Sequence, residues 1–356
     1  MSRDLSQLAE PPETLAQRLL ELQRRLRDAI LSGRDGQDAA VVREAAGVGA
    51  PGDYSGDTIY RIDERGEAVL LEYCDGWARE VDRPFALVAE GLPGDGRIVL
   101  PFGSDSAEAA FECIVDPIDG TRGLMYDKRS AWALAAVAPG QAVLGRRPRL
   151  SDVVVAVQTE IPTSRARYVD ALWAVAGSGC HGTTLDLATG AQRPWRPSPS
   201  LAGGLAHGFA TVAKFFPGTK EAAAWLEERL FAEVVGDHAG GAPLVFDDQY
   251  ISSGGQLYEL MVGHDRFVAD LRPDFMAARG LPLRLCARPY DLCTELIARE
   301  SGVIVTDAWG APLDPPLDTV TDVSWVGYAN QRIRALVEPV LQRLLAEMGV
   351  VRVPAP

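Results

Sequence analysis

Residues 111–121 read Phe111-Glu112-Cys113-Ile114-Val115-Asp116-Pro117-Ile118-Asp119-Gly120-Thr121 and contain the clearest structural pattern of the chain. Its apolar first half predicts a buried strand, and the change at Asp116 to acidic, proline and glycine residues predicts where that strand ends. Two carboxylates are thereby placed at the tip of a rigid element. Oxygen ligands in such a position favour a site for a divalent cation.

Net charge limits the classes of partner. The chain has 356 residues and a formal net charge of -14, a length that fits one large or two medium domains. An acidic surface repels nucleic acid and anionic membranes, so neither is an expected partner. A small phosphorylated metabolite would need metal ions to enter. Only four histidines are present, which disfavours a histidine-rich transition-metal centre.

Cysteine usage and hydropathy indicate the compartment. The five cysteines are scattered and never form a Cys-x-x-Cys pair, so they signal neither a disulfide framework nor a zinc knuckle. The first residues have no apolar signal core, and no apolar run has the length of a membrane span. We therefore expect a cytoplasmic protein.

Residue periodicity predicts two halves. Leucine and isoleucine recur at helical spacing from Glu13 to Ser32, and Gly33 is the expected stop. Strand-like runs with turns between them predict an antiparallel sheet flanked by helices, an α+β half. Beyond the expected linker at 194–200, helices alternate with strands, which favours an α/β half. The predicted domains are 1–195, with most metal ligands, and 196–356. The predicted strands are 85–89, 98–101, 111–115, 131–138, 153–159 and 171–176.

Acidic residues stand where predicted strands or helices begin or end. Gathered in one cleft, they could not all stay ionised unless cations lay among them. The carbonyl of Ile118 would add an oxygen ligand of the kind that suits Mg²⁺. Gly120 lets the backbone approach a phosphate, and Thr121 offers a hydroxyl. Such a site can hydrolyse a phosphate ester. The acidic residues are Glu90, Asp116, Asp119 and Asp291.

The run from Asp116 to Thr121 resembles the signature of the inositol monophosphatase family. That family belongs with fructose-1,6-bisphosphatases and bisphosphate nucleotidases in one magnesium-dependent, lithium-sensitive superfamily. Residues 290–302 and 306–310 resemble its second signature, and Glu90 stands where its first metal-binding glutamate does. Asp57 and Asp63 reproduce the spacing of its upstream acidic pair. The resemblance implies a layered αβαβα sugar-phosphatase fold with the active site between the two halves.

The resemblance also implies residue roles and two or three Mg²⁺ ions. Glu90, Asp116 and the Ile118 carbonyl would hold the first metal, and Asp116, Asp119 and Asp291 the second. Glu90 and Thr121 would help to activate the water, and Asp63 would lie behind the ligands or at a third, weaker metal. A homodimer is implied too, although nothing in the sequence specifies an interface. The implied substrate contacts are Asp119, Gly120, Thr121, Asp270 and Asp291.

Two departures bear on the activity. Gly91 follows Glu90 where the family usually has a second glutamate, and 270–288 carries an insertion where the family places its substrate-selecting acid. We expect Mg²⁺-dependent hydrolysis of a small phosphate monoester, either inositol phosphate or a related polyol or sugar phosphate. Fructose 1,6-bisphosphate or a 3'-phosphorylated nucleotide stays open as the substrate. A non-catalytic relative that binds a metabolite also stays open.

The run Gly177-Ser178-Gly179-Cys180-His181-Gly182 matches the dinucleotide-binding pattern. The residues that follow predict a short strand and a turn instead of the helix that this motif requires. We interpret the run as a hairpin and expect no nicotinamide site.

Overall fold

A computed structural model describes residues 8–35, 45–48, 58–81, 83–236 and 243–351, with the side chains of 34–35, 45–48 and 58–64 outside the description. The helices are α1 (Pro12–Asp35), α2 (Arg61–Glu80), α3 (Pro93–Gly96), α4 (Thr121–Met125), α5 (Gln141–Leu144), α6 (Lys220–Val235), α7 (Ser253–Met261), α8 (Arg272–Ala278), α9 (Glu295–Ser301) and α10 (Gln331–Glu347). The strands are β1 (Ala45–Val48), β2 (Thr58–Tyr60), β3 (Phe85–Ala89), β4 (Arg97–Leu100), β5 (Phe111–Asp119), β6 (Ala131–Pro139), β7 (Val155–Ile161), β8 (Tyr168–Val175), β9 (Cys180–Asp186), β10 (Gln192–Trp195), β11 (Gly208–Val212), β12 (Val245–Phe246), β13 (Asp265–Asp270), β14 (Ile304–Thr306) and β15 (Trp325–Tyr328).

The first large sheet has eight strands in the order β10-β9-β8-β7-β6-β5-β3-β4. Neighbouring strands are antiparallel except β3 and β5, which run parallel. Every residue of β5 and β6 is buried, because helices cover both faces of the sheet at its centre. One face carries α1 and α2, whose apolar residues share a core with those of the sheet.

The second sheet has five strands in the order β12-β11-β13-β15-β14. Its β11 runs parallel to β12 and β13, and β15 runs antiparallel to β13 and β14. Helices α6 and α10 cover its outer face, with Leu226, Leu230 and Leu341 fully buried. This mixed sheet with its flanking helices is the α/β half that the sequence predicts.

Helices α7 and α9 pack between the two sheets. Leu257 and Leu296, one from each helix, share a core with Leu134 of the first sheet and Trp325 of the second. The layers are therefore helix, sheet, helix, sheet, helix, which confirms the predicted αβαβα fold class. Since both halves contribute to this middle core, the division into domains near residue 195, where the first sheet ends, remains a prediction.

Several local predictions need correction. Gly33 does not stop α1, which continues to Asp35; the guanidinium group of Arg65 lies against Gly33, 2.2 Å from where a Cβ would be. The expected linker begins inside β10, an edge strand, where Pro194 can be tolerated. The helix expected from Asp291 is divided into a 3₁₀ turn at Pro289–Leu292 and α9. The hairpin at 177–182 is confirmed, because β8 and β9 pair antiparallel on either side of it.

Within the part of the chain that the structure describes, no helix is long and apolar enough to span a membrane.

Candidate active site

The end of β5 carries a bulge that brings two aspartates together. Asp116 pairs with Leu134 and Asp119 with Trp132, so three steps along β5 match two along β6. Side chains alternate between the faces of a strand, and one extra residue returns the later side chain to the face of the earlier one. The backbone N–H of Ile118 donates to Oδ1 of Asp116 at 2.9 Å and helps to fix this turn.

Asp119 is held by the start of α7. Its Oδ2 accepts from the Ser252 hydroxyl at 2.8 Å and from the Gly254 backbone N–H at 2.6 Å. Ser252 also caps α7, since its Oγ accepts from the N–H of Gly255 at 2.8 Å. A Cβ at Gly254 would lie 2.6 Å from Leu134 and 2.9 Å from Oδ2 of Asp119, so only glycine permits this approach.

Asp291 reaches the same place from the second half of the chain. It lies in the 3₁₀ turn, where its Oδ2 accepts from the backbone N–H of Arg288 at 2.6 Å. Asp116, Asp119 and Asp291 each offer a carboxylate oxygen, and these three oxygens lie within 4.8 Å of one another. That is a spacing at which they could share bound cations.

Burial and mutual repulsion perturb these carboxyls. Burial, followed by the charges of Asp119, Asp291 and Glu90, raises the pKa of Asp116 well above its ordinary value. Burial also raises the pKa of Asp119 to about 6, although its bonds from Ser252 and Gly254 act in the opposite direction. The charged forms therefore need compensating positive charge.

Glu90 follows β3 and lines the same cleft, although it is exposed and lies outside the group of three. Gly91 has φ +83°, and a Cβ there would lie 2.0 Å from Oε1 of Glu67 on α2. A side chain at position 91 would be strained by the backbone and would have to displace the carboxylate of Glu67. The carboxylate of Glu67 thus lies against Gly91, the residue that follows Glu90 in the chain.

Gly120 and Thr121 also line the cleft. Gly120 has φ +94°, and a Cβ there would lie 3.1 Å from that of Ser252. The Thr121 hydroxyl donates to the Ile118 carbonyl at 2.9 Å, which ties the hydroxyl to a predicted metal ligand. A carbonyl oxygen has two lone pairs, so this bond leaves the Ile118 oxygen able to accept a cation.

Asp270 does not line the cleft. It is fully buried at the end of β13, and its Oδ1 and Oδ2 accept from Arg272 at 2.7 and 2.5 Å. Arg272 is the residue that faces the cleft, beside Phe215 and Phe216. The substrate contact predicted for Asp270 stays untested, and this geometry favours an indirect role through Arg272.

The cleft thus contains Glu90, Asp116, Ile118, Asp119, Gly120, Thr121 and Asp291, all named from the sequence. Their catalytic and ligand roles stay predictions. The side chain of Asp63, near the start of α2, lies outside the described residues, as does all of Asp57. Sequence reasoning missed Glu67, Ser252, Gly254 and Arg272. The sequence offered two signals for these residues: the acidic Glu67 on an expected helix, and the run Ser252-Ser253-Gly254-Gly255. Neither signal indicates which residues would be contacted.

Cys293 beside this site is not activated. Burial, with the charges of Asp116 and Asp291 next, raises the pKa of its thiol well above the ordinary value. A thiolate nucleophile at Cys293 is therefore disfavoured.

No protein-family model matches the sequence, and no curated protein sequence does. Solved structures do match the fold. A fructose-1,6-bisphosphatase from Leishmania major is 14% identical, with a TM-score of 0.63 over 93% of this chain and 92% of that one. An IMPase from Thermotoga maritima is 16% identical, with a TM-score of 0.59 over 95% and 100%. An inositol monophosphatase from Anabaena is 13% identical, with a TM-score of 0.56 over 94% and 96%. The chain therefore has the fold of the inositol monophosphatase and fructose-1,6-bisphosphatase structures.

Proposed function

We propose that this protein is a Mg²⁺-dependent phosphatase that hydrolyses a small phosphate monoester. The observation that carries the proposal is the meeting of Asp116, Asp119 and Asp291 from two distant segments, with ligand oxygens within 4.8 Å of one another. Structures with the same fold bear the names of phosphatases, which supports the same class of chemistry.

The residues present fit a hard divalent cation. The donor set is all oxygen, with carboxylates from Asp116, Asp119 and Asp291, the Ile118 carbonyl and Glu90 in the same cleft. Mg²⁺ prefers such ligands and keeps waters that a phosphate can displace. The raised pKa of Asp116, caused by burial and by its acidic neighbours, is that of a carboxyl that needs a cation to ionise. Bound there, Mg²⁺ would supply Lewis-acid polarisation of the phosphoryl group and of the attacking water.

The protein's own groups would orient the reaction. Glu90, which is exposed in the cleft, would accept a proton from the water that attacks phosphorus. Thr121 would help to orient that water, and Gly120 leaves room for the phosphate against the backbone. A new P–O bond to the oxygen of the attacking water forms as the ester P–O bond breaks. The leaving alkoxide takes a proton from solvent, and Glu90 returns the proton that it accepted to solvent. The products are inorganic phosphate and the free alcohol.

A phosphate-release screen tests this proposal. Purified protein would be incubated with inositol, sugar and nucleotide monophosphates, with Mg²⁺ and with EDTA. We expect release only with Mg²⁺, and a loss of at least about a hundredfold in kcat for Asp116→Asn. Glu108→Gln, which neutralises an exposed carboxylate, should retain native turnover. If the native protein releases no phosphate from any of these esters, it is not such a phosphatase.

A non-catalytic metabolite-binding protein is the second hypothesis. The sequence feature that supports this hypothesis is Gly91, which follows Glu90 where the family usually has a second glutamate. Since Glu67 brings a carboxylate to Gly91 from another helix, that support is weakened. Lithium inhibition, a homodimer and a cytoplasmic location remain predictions from the sequence.

A further inference from the structure

We infer that Gln158 is a positioning residue, which holds the elements that carry Asp119 and Asp291 in place relative to each other. One end of its side-chain amide bonds to the start of α7, and the other end bonds to the residue before α9. This inference rests on the metal site of the proposed phosphatase. It adds to that site a residue that does not line the cleft.

Gln158 lies on the same face of the first sheet as Asp116. Asp116 of β5 pairs with Leu134 of β6, and Leu134 pairs with Gln158 of β7. Residues directly opposite each other on neighbouring strands share a face of the sheet. Gln158 is fully buried there, between Leu134 and Leu172 of the middle core. An amide in such a place costs free energy unless its polar atoms are bonded.

Both ends of the amide of Gln158 are bonded. Its Nε2 donates to the backbone carbonyl of Gly254 at 2.8 Å, and its Oε1 accepts from the Thr294 hydroxyl at 3.1 Å. Because the Gly254 carbonyl can only accept a hydrogen bond, the Nε2 end must face α7 and the Oε1 end must face Thr294. Gln158 therefore joins the starts of the two helices in one orientation only.

Each bond of Gln158 reaches an element that holds a proposed metal ligand. The N–H of Gly254 donates to Oδ2 of Asp119 at 2.6 Å, so this glycine is bonded on one side to the ligand and on the other to Gln158. Thr294 directly precedes α9 and follows the 3₁₀ turn that carries Asp291. One side chain of β7 thus connects the two elements that bring the carboxylate oxygens of Asp119 and Asp291 to within 4.8 Å of each other.

Variants of similar shape test the inference by calorimetry of Mg²⁺ binding. Gln158→Leu keeps most of the side-chain volume and removes both bonds, whereas Thr294→Val removes the hydroxyl alone. We expect the Kd for Mg²⁺ to rise about tenfold in Gln158→Leu, as is common when a group that supports a metal ligand is lost, and to rise less in Thr294→Val. Thr294→Ser keeps the hydroxyl and should retain the native affinity.

The double variant separates positioning from stability. Gln158→Leu leaves the buried Thr294 hydroxyl without its acceptor, which should lower the urea midpoint of unfolding in EDTA. Gln158→Leu combined with Thr294→Val removes both polar partners, so the midpoint should return towards the native value. The Kd for Mg²⁺ should stay about tenfold raised in the double variant, because the link between α7 and α9 is still missing. An effect of stability alone would restore the affinity together with the midpoint.

Gln23→Leu is the control for the loss of a buried glutamine. Gln23 on α1 is fully buried, and its Nε2 donates to the backbone carbonyl of Val157 at 2.8 Å. This bond also joins a helix to β7, but Val157 belongs to the core on the α1 side of the sheet. Gln23→Leu should therefore lower the urea midpoint without raising the Kd for Mg²⁺.

Turnover of an ester found in the phosphatase screen gives a further readout. In Gln158→Leu, the Mg²⁺ concentration for half-maximal turnover should rise about tenfold. The KM for the ester at saturating Mg²⁺ should stay near its native value, because Gln158 does not line the cleft.

The outcomes separate this inference from the function on which it rests. An unchanged Kd for Mg²⁺ in Gln158→Leu, or an equal rise in Gln23→Leu, would overturn the positioning role and leave the phosphatase intact. A raised Kd in a protein that releases no phosphate would support the positioning role and contradict the proposed reaction. If the native protein binds no Mg²⁺, both the metal site and this inference fail.

Discussion

Gly91 stands where the family pattern has a second glutamate, and a carboxylate from another helix, that of Glu67, lies against it. The position has φ +83°, and a side chain there would overlap the carboxylate of Glu67, so glycine suits both the backbone and the contact. Glu67 belongs to α2, whose Gly66 lies against Pro117 of β5. Helix α2 therefore packs against the acidic end of β5.

We predict that Gly91→Ala weakens Mg²⁺ binding about tenfold, as is common when a group that supports a metal ligand is displaced. The new methyl group must push Glu67 away and disturb the turn that carries Glu90. The backbone strain should also lower the free energy of unfolding by about 1 kcal/mol. Calorimetric titration with Mg²⁺ and urea unfolding in EDTA measure the two effects.

Gly94→Ala is the matched control for this change. Gly94 has φ +75°, but nothing lies within 4 Å of a Cβ there. It should show the loss of stability without the loss of metal affinity. Equal Mg²⁺ affinity in the native protein and Gly91→Ala would contradict a supporting role for Glu67.

Glu160 provides a prediction about pH. Burial raises its pKa to about 7, although the Ser130 hydroxyl at 2.5 Å and the Asp170 N–H at 3.1 Å act in the other direction. The folded state then holds a proton that the unfolded state releases near pH 4, so stability falls as pH rises toward 7. Glu160→Gln should reduce this fall by on the order of 2 kcal/mol.

Urea unfolding of the metal-free protein at pH 5 and pH 8 measures the effect. Asp265 remains in the variant, and burial raises its pKa to about 7 as well. The dependence of stability on pH should therefore become weaker but not disappear. Glu108→Gln, at an exposed site, should keep the native slope. If the free energy of unfolding of Glu160→Gln falls between pH 5 and pH 8 by as much as that of the native protein, Glu160 is ionised in the folded protein.

The sequence predicts a residue well when its signal is local. Asp116 and Asp119 are recognisable because the run that contains them also forms the bulge that aligns them. Ser252 could not be paired with Asp119, because they are 133 positions apart and only the packing of α7 against β6 joins them. Arg272 was missed although its main partner, Asp270, is only two residues away, because its contacts with Phe215 and Phe216 at the cleft are distant in sequence.

Helix α1 shows that apolar periodicity in the sequence predicts well which residues of a helix are buried. Its leucines at helical spacing, Leu15, Leu19, Leu22 and Leu26, are all fully buried against the first sheet and α2. The C-terminal end of α1 was less predictable, because Gly33 lies against the side chain of Arg65 on another helix, α2. The 3₁₀ turn before α9 likewise depends on the bond from Arg288 to Asp291.

We predict that Leu22→Ala in α1 lowers the free energy of unfolding by about 2–5 kcal/mol, since it leaves a cavity at a fully buried position. Thr14→Ala, at an exposed position of the same helix, should change it by less than about 0.5 kcal/mol. Urea unfolding measures both. Similar values for the two variants would show that α1 is not part of the cooperative core.

The proposed metal site lies where residues from both parts of the chain meet. Asp116 and Asp119 come from the first sheet, and Asp291 comes from the turn before α9. In a chain of net charge -14, bringing these groups together without a cation opposes folding. A cation that binds them only in the folded state must therefore stabilise the entire fold.

We predict that Mg²⁺ raises the Tm of the native protein relative to EDTA, with a shift that grows with the logarithm of Mg²⁺ concentration above Kd. Asp116→Asn should reduce that shift and, in EDTA, should be at least as stable as the native protein, because it removes a buried carboxyl that must take up a proton to stay in the metal-free fold. Glu108→Gln should keep the full Mg²⁺ shift, since Glu108 is exposed and does not line the cleft. A shift of the same size in Asp116→Asn would mean that the stabilising ion binds elsewhere, and the site built from the two halves would then have to be abandoned.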